Sequence, residues 1–134
     1  MVIMILIDKL LLEELMAKAE ASERKRMNMD MRTSADDSSQ RMLNALLPGT
    51  VVPVHRHPSS TESVICLSGC MDEVIFADDG KTEVERFRLC PADGKYGCVV
   101  PMGLWHTVEV FEPSVIFEAK DGKYGEDGSE SCFG

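Results

Sequence analysis

The sequence predicts a mainly β domain with one short helix near its start, and three observations carry that reading. Apolar residues alternate with polar ones along short runs, most clearly at Met27, Met29 and Met31, which is the period of a half-buried strand. Turn signals punctuate these runs; Asp79-Gly80 is the strongest, because both residue types accept the left-handed backbone of a tight hairpin. The stretch 9–21 instead repeats its apolar residues at three and four steps, the period of a helix. At 134 residues the chain has the size of one domain, and 44% apolar content suffices for a core.

Taken in order, the chain opens with seven apolar residues, MVIMILI. No basic segment precedes them, and Asp8-Lys9 ends the run far short of the ~20 residues that span a bilayer. The expectation is a cytoplasmic protein. Asp8 is the expected N-cap of the helix, whose Leu11, Leu12, Leu15, Met16 and Ala19 share a face. That face reads as cover for a sheet, with a lid or a dimer contact as the alternative.

The strand at 27–31 places its methionines inside as core filling. Arg24, Arg26, Asn28 and Arg32 then form a solvated face or, alternatively, reach an anionic ligand at a cavity mouth. Residues 33–39 form a loop, and 40–47 a strand in which Asn44 needs a hydrogen-bond partner if buried. Further strands are expected over 50–57, 62–67, 70–76, 82–89, 98–101, 105–111 and 114–120. Turns are expected at Ser68-Gly69 and Glu112-Pro113, and a loop over 91–97. The charges of 82–89 suggest an exposed strand or a cross-strand ion-pair ladder. Glu118 and Lys120 share one face of the last strand; if it is a cavity face they are, with Asn44, the candidate catalytic residues. Residues 121–134 hold four glycines and no periodicity, which reads as a flexible tail.

A net charge of −9 argues against nucleic acid and anionic membrane surfaces as partners. The cysteines are Cys66, Cys70, Cys90, Cys98 and Cys132, an odd number without regular spacing. They read as reduced thiols rather than a disulfide framework, Cys66 among them as apolar packing.

The chemistry concentrates at 49–69, GTVVPVHRHPSSTESVICLSG, and at PMGLWH, 101–106. These two stretches hold all three histidines of the chain, His55, His57 and His106. Alternation along a strand points His55 and His57 the same way. A hairpin after the Pro-Ser-Ser turn brings Glu62 back beside them. If His106 lies on a strand crossing the same interior, the four make an N3O site for one divalent transition metal. The competing reading, histidines satisfied by hydrogen bonds alone, would have an acidic chain spend every histidine at one place without a metal.

These residues carry a resemblance. Gly49, then His55-x-His57, Glu62 and Gly69 at the spacings found here resemble the first motif of the cupin superfamily, and Pro101-x-Gly103-x-x-His106 resembles the core of the second. Lys95 stands where the second motif begins with glycine, and Val110 where asparagine is frequent; neither departure removes a ligand. RMNMDMR, SQRMLNALLPGT and FEAKDGKYG extend the resemblance to cupin-fold metalloproteins of the WbuC type over about residues 3–125.

The resemblance implies a double-stranded β-helix, the cupin jelly-roll barrel. Residues 1–35 would be a helix and strand extension packed on the barrel, 36–120 the barrel, and 121–134 the tail. It implies His55, His57, Glu62 and His106 as metal ligands, a homodimer, and a setting in surface polysaccharide biosynthesis. Zinc, iron, manganese and nickel all suit the ligand set. Cavity walls are expected from Met42, Val64, Val108 and Phe117, enclosing a small-molecule ligand. Metal affinity is expected to fall below about pH 6.5, the ordinary histidine pKa. The expected function is a metal-dependent enzyme, an isomerase or dioxygenase-like, on a small polar substrate such as a sugar derivative. The alternative is a non-catalytic binding or sensing module.

Overall fold

The computed structural model of the chain describes residues 4–123 and 129–131. Helix α1 spans Lys9–Glu20, and the Asp8 side chain accepts from Leu11 N–H at 3.0 Å to cap it. The strands are β1 (Arg26–Asp30), β2 (Ser39–Leu46), β3 (His55–Arg56), β4 (Glu62–Phe76), β5 (Glu83–Leu89), β6 (Gly97–Val100), β7 (His106–Asp121) and β8 (Glu130–Ser131). They form one curled sheet in the order β1-β2-β7-β3-β8, while β4 joins β7 to β5 and β6. The mainly β barrel with a short N-terminal helix is as expected.

Two long strands make the barrel. β4 and β7 run antiparallel from Glu62 opposite Lys120 to Ile75 opposite His106. The turns expected at Ser68-Gly69 and Glu112-Pro113 are not chain reversals. Both are bends inside continuous strands, with register shifts between Cys66 and Met71. Gly69 has φ +95°, and a Cβ there would collide with the Pro113 carbonyl and the Ser114 hydroxyl, so only glycine fits this corner. The buried Ser114 hydroxyl repairs the broken ladder: it donates to Glu112 O at 2.7 Å and accepts from Cys70 N–H at 3.1 Å. The corner turns β4 back on itself, so that residues from both of its halves line one chamber.

Alternation sorts β2 and β7 into two cores. Leu43, Ala45 and Val115 face outward and pack under Leu15 and Ala19 of α1, with Met27, Met29, Met31 and Phe117 around them. The helix therefore covers a sheet face, and its leucine periodicity exists to do so. Leu46, Val64, Cys66, Met71, Leu89, Val110 and Ile116 face inward and close the barrel. Phe117, expected in the cavity wall, belongs to the outer core: it precedes inward-facing Glu118, and neighbours on a strand point opposite ways.

At the charged edge, Asp79 accepts from the N–H groups of Lys81 and Thr82, both at 2.8 Å, to set the β4–β5 hairpin. β5 is both exposed and laddered, because Arg86 reaches Glu83, Asp72 and Glu109 while Arg88 reaches Asp72. Cys66, Cys70, Cys90 and Cys98 are free thiols; Cys132 lies outside the described residues. Part of the expected tail is tied down: Arg56 pairs with Glu130, and His55 with Ser131. No helix among the described residues is long and apolar enough to cross a membrane.

Candidate metal centre

The three histidines arrive from two directions. His55 lies on β3 opposite His106, the first residue of β7, and His57 follows one residue beyond Arg56. His57 and His106 are buried, at 6% and 1% exposure. Their ring centroids stand 4.3 Å (His55–His106), 5.1 Å (His55–His57) and 5.5 Å (His57–His106) apart. One nitrogen from each ring lies within 4.8 Å of the other two. The same-face reading of His55-x-His57 and the convergence of His106 are therefore as expected.

Each ring is held through Nδ1. His55 Nδ1 lies 2.8 Å from Pro53 O, His57 Nδ1 2.7 Å from Ser129 Oγ, and His106 Nδ1 2.6 Å from Glu73 Oε1. That leaves Nε2 on each ring to face the interior. The Nε2 atoms of His57 and His106 are buried with no hydrogen-bond partner, which is costly unless a ligand takes them. Neutral imidazole nitrogens turned inward and fixed from behind are what a transition metal requires.

Glu62 reaches this place by a different route from the expected hairpin. β3 and β4 are not paired; β4 pairs with β5, β6 and β7, and β3 with β7 and β8. The expected turn is present at Pro58 and Ser59, but the strands on either side of it do not pair; the Glu62 carboxylate stands 3.2 Å from His57 Nε2. The approach lies off the ring's hydrogen-bonding axis, since that nitrogen remains unpartnered. Burial pushes Glu62 up, but the contact with His57 and the charges of His106, His57 and Lys120 outweigh it and hold the carboxylate below its usual range.

Burial also dominates the rings. It pushes His55 and His106 down to about 4, for His55 with help from the neighbouring imidazoles. Both rings thus stay neutral well below pH 6.5, the ordinary histidine value. Glu73 moves the opposite way, well above its ordinary value, chiefly through burial and then through Glu62. In the metal-free chain the proton between Glu73 and His106 Nδ1 therefore sits on the carboxyl and the ring's own proton on Nε2; a cation taking Nε2 would displace that second proton and leave Nδ1–H donating to an ionised Glu73.

A chamber of about 30 Å³ adjoins the rings, with Glu62, Glu73, Glu118 and Asn44 in its polar wall and Val52, Val108 and Ile116 in its apolar wall. A second cavity continues from Glu62 and Glu118 past Lys120, Gln40 and Met42. It shares Gln40, Arg41 and Met42 with an outer cavity of about 230 Å³ bounded by Asn28, Asp30 and Arg32. The candidates Asn44, Glu118 and Lys120 thus all line this route. Glu118 is half-buried and pushed up to about 8, first by burial and then by Glu62 and Glu73, with Lys120 opposing. Lys120 Nζ also stands 3.0 Å from His57 Nδ1.

Arg32 and Asn28 line the outer cavity, but Arg32 is clasped by Asp30 at 2.6 Å and Arg26 donates to Val51 O at 3.2 Å. Sequence reasoning missed Glu73 and Ser129. Glu73 is legible only as an acid inside an apolar run, and Ser129 gives no local signal at all.

A family model described as a domain of unknown function, DUF6016, matches residues 7–89. No curated protein matches the chain. Among solved structures, an oxalate oxidase bound to the substrate analogue glycolate superposes with a TM-score of 0.62 at 16% identity, covering 83% of this chain and 57% of that one. An uncharacterised double-stranded β-helix protein from Klebsiella pneumoniae gives 0.63 at 13% identity, covering 82% and 81%. The oxalate decarboxylase of Bacillus subtilis, studied for its Mn(II) centres, gives 0.60 at 23%, covering 79% and 27%. The chain spans little more than half the length of that oxalate oxidase. What is shared is the fold, the double-stranded β-helix of cupins.

Proposed function

We propose that this chain, which belongs to the family described as DUF6016, is a metal-dependent enzyme acting on a small polar substrate. The observation that carries the reading is the set of imidazoles fastened at Nδ1, with buried Nε2 atoms of His57 and His106 lacking partners. His55, His57, His106 and Glu62 would hold one divalent ion of zinc, iron, manganese or nickel. When bound, that ion supplies Lewis acidity toward a substrate oxygen.

The chain's own groups supply the rest. In the metal-free chain burial raises the Glu118 carboxyl to about 8, which places it to hold and release a proton near neutral pH, as general acid–base work requires. Lys120 brings a positive charge to the neck between chamber and outer cavity, and the Asn44 amide offers a donor and an acceptor to a substrate hydroxyl or carbonyl. A chamber of about 30 Å³ with three carboxyl groups in its wall favours a small polar compound. The sequence motifs of the WbuC type support a sugar derivative of surface polysaccharide synthesis as that compound.

The test is elemental analysis of protein purified without a metal-affinity tag, together with thermal melting. The expected result is about one transition-metal ion per chain, lost in His106→Ala. Protein that contains no ion, and whose melting temperature none of the four ions raises, overturns the reading. A ligand that stabilises the metal-loaded protein without being turned over makes it a binding module instead.

A further inference from the structure

We propose that residues 129–131 form a strap that selects the metal-competent tautomer of His57, with Ser129 as the positioning residue. The inference rests on the metal reading above and names a control within that site.

The strap is built. Arg56 and His55 pair with Glu130 and Ser131 across β3 and β8. Arg56 Nε donates to Glu130 at 2.9 Å, while its guanidinium lies 4.6 Å from the Trp105 ring centroid. These contacts deliver Ser129 to His57 across 72 residues of sequence.

His57 differs from the other two rings in having two competing partners at Nδ1. His55 faces a carbonyl oxygen, Pro53 O, which can only accept, so its proton sits on Nδ1. His106 Nδ1 faces the Glu73 carboxyl group at 2.6 Å. His57 Nδ1 has Ser129 Oγ at 2.7 Å and Lys120 Nζ at 3.0 Å. An ammonium can only donate. A bond from Lys120 therefore requires a lone pair on Nδ1 and moves the ring proton to Nε2, where Glu62 waits at 3.2 Å. In that state Nε2 cannot ligate.

A serine oxygen can accept. An Nδ1–H donated to Ser129 leaves the Nε2 lone pair aimed inward, and Lys120 turns to the carboxyl groups of Glu62 and Glu118 that share its cavity. The strap thus decides between a ring whose Nε2 can take a metal and a ring whose Nε2 carries a proton. A group that takes the N–H of a ligating ring fixes its tautomer and orientation, and losing one costs about 10–100-fold in metal affinity.

The experiment uses the full chain as wild type, Ser129→Ala and Ser129→Thr. Mn(II) titration followed by calorimetry at neutral pH should show S129A about 10–100-fold weaker, with S129T restored toward wild type. Two-bond ¹⁵N–¹H correlation spectra of metal-free protein should place the His57 proton on Nδ1 in wild type and S129T, and on Nε2 in S129A. Equal Mn(II) affinity and an unchanged tautomer in S129A overturn the inference. Wild type that binds no metal sinks the metal reading instead, and the tautomer spectra still decide the role of Ser129.

Discussion

The two faces of β2 and β7 lie one residue apart along the chain and obey opposite rules. Outward, Leu43, Ala45 and Val115 are at most 1% exposed beneath α1 and pack in an apolar cluster. Inward and toward the mouth, Gln40, Asn44, Glu118 and Lys120 line the cavities, where apolar burial is given up for charge. Burial of apolar surface stabilises by about 25 cal/mol per Å², whereas a carboxyl group in a closed chamber costs free energy unless paired. The outer face holds the fold together; the inner face lowers stability to place reactive groups. Truncation and neutralisation should therefore act in opposite directions on the two faces.

The largest effect belongs to the outer face. Leu43 is fully buried, so Leu43→Ala leaves a cavity under the helix and should cost about 2–5 kcal/mol, read as a fall in chemical-denaturation stability. Metal affinity of the protein that remains folded should be unchanged, because the histidines hang on β3 and the start of β7. A Leu43→Ala protein of wild-type stability would show that α1 is not needed to close the outer core.

The next effect lies inside. Glu73→Gln keeps the shape but removes the carboxylate 2.6 Å from His106 Nδ1. Metal affinity measured by titration with Mn(II) should fall about 10–100-fold. Unfolding stability without metal should stay the same or rise, since the variant no longer buries an ionisable acid at 1% exposure. Unchanged affinity would show that Glu73 does not set the orientation of His106.

The same contrast explains what could be read from the chain. Periodicity reports which face a residue occupies, so the helix stripe, the methionine strand and the convergence of His55 with His57 were legible. Hairpin chemistry gave β4–β5, because Asp79-Gly80 acts on its own neighbours. Contacts across the barrel were not legible. The bend at Gly69 looks like a turn in sequence because glycine serves both; only the packing of Pro113 and Ser114 against it makes it a corner. Phe117 looked like cavity wall because an apolar residue next to a catalytic candidate does not announce its face. Ser129 meets His57 from 72 residues away, through a pairing of only two residues per strand.

The smallest effect, and the one that reverses sign, comes from Glu118. Its pKa lies at about 8 in the folded chain against an ordinary 4.5, so the folded state holds a proton that the unfolded chain has released. Below pH 4.5 both states keep it and stability is complete in this respect. As pH rises toward 8 the unfolded state is favoured progressively, and above 8 the loss is constant. Glutamine cannot ionise and escapes the loss. Metal-free Glu118→Gln should therefore match wild type near pH 4 and exceed it at pH 8 and above, by about 1–2 kcal/mol once the shift is discounted for water in the cavity. Melting temperature against pH reads this directly. A bound divalent cation favours ionised Glu118 by its charge, so metal-loaded wild type should show a weaker pH dependence than the metal-free protein. If the two chains melt in parallel from pH 4 to 9 without metal, Glu118 is ionised throughout and holds no proton for catalysis.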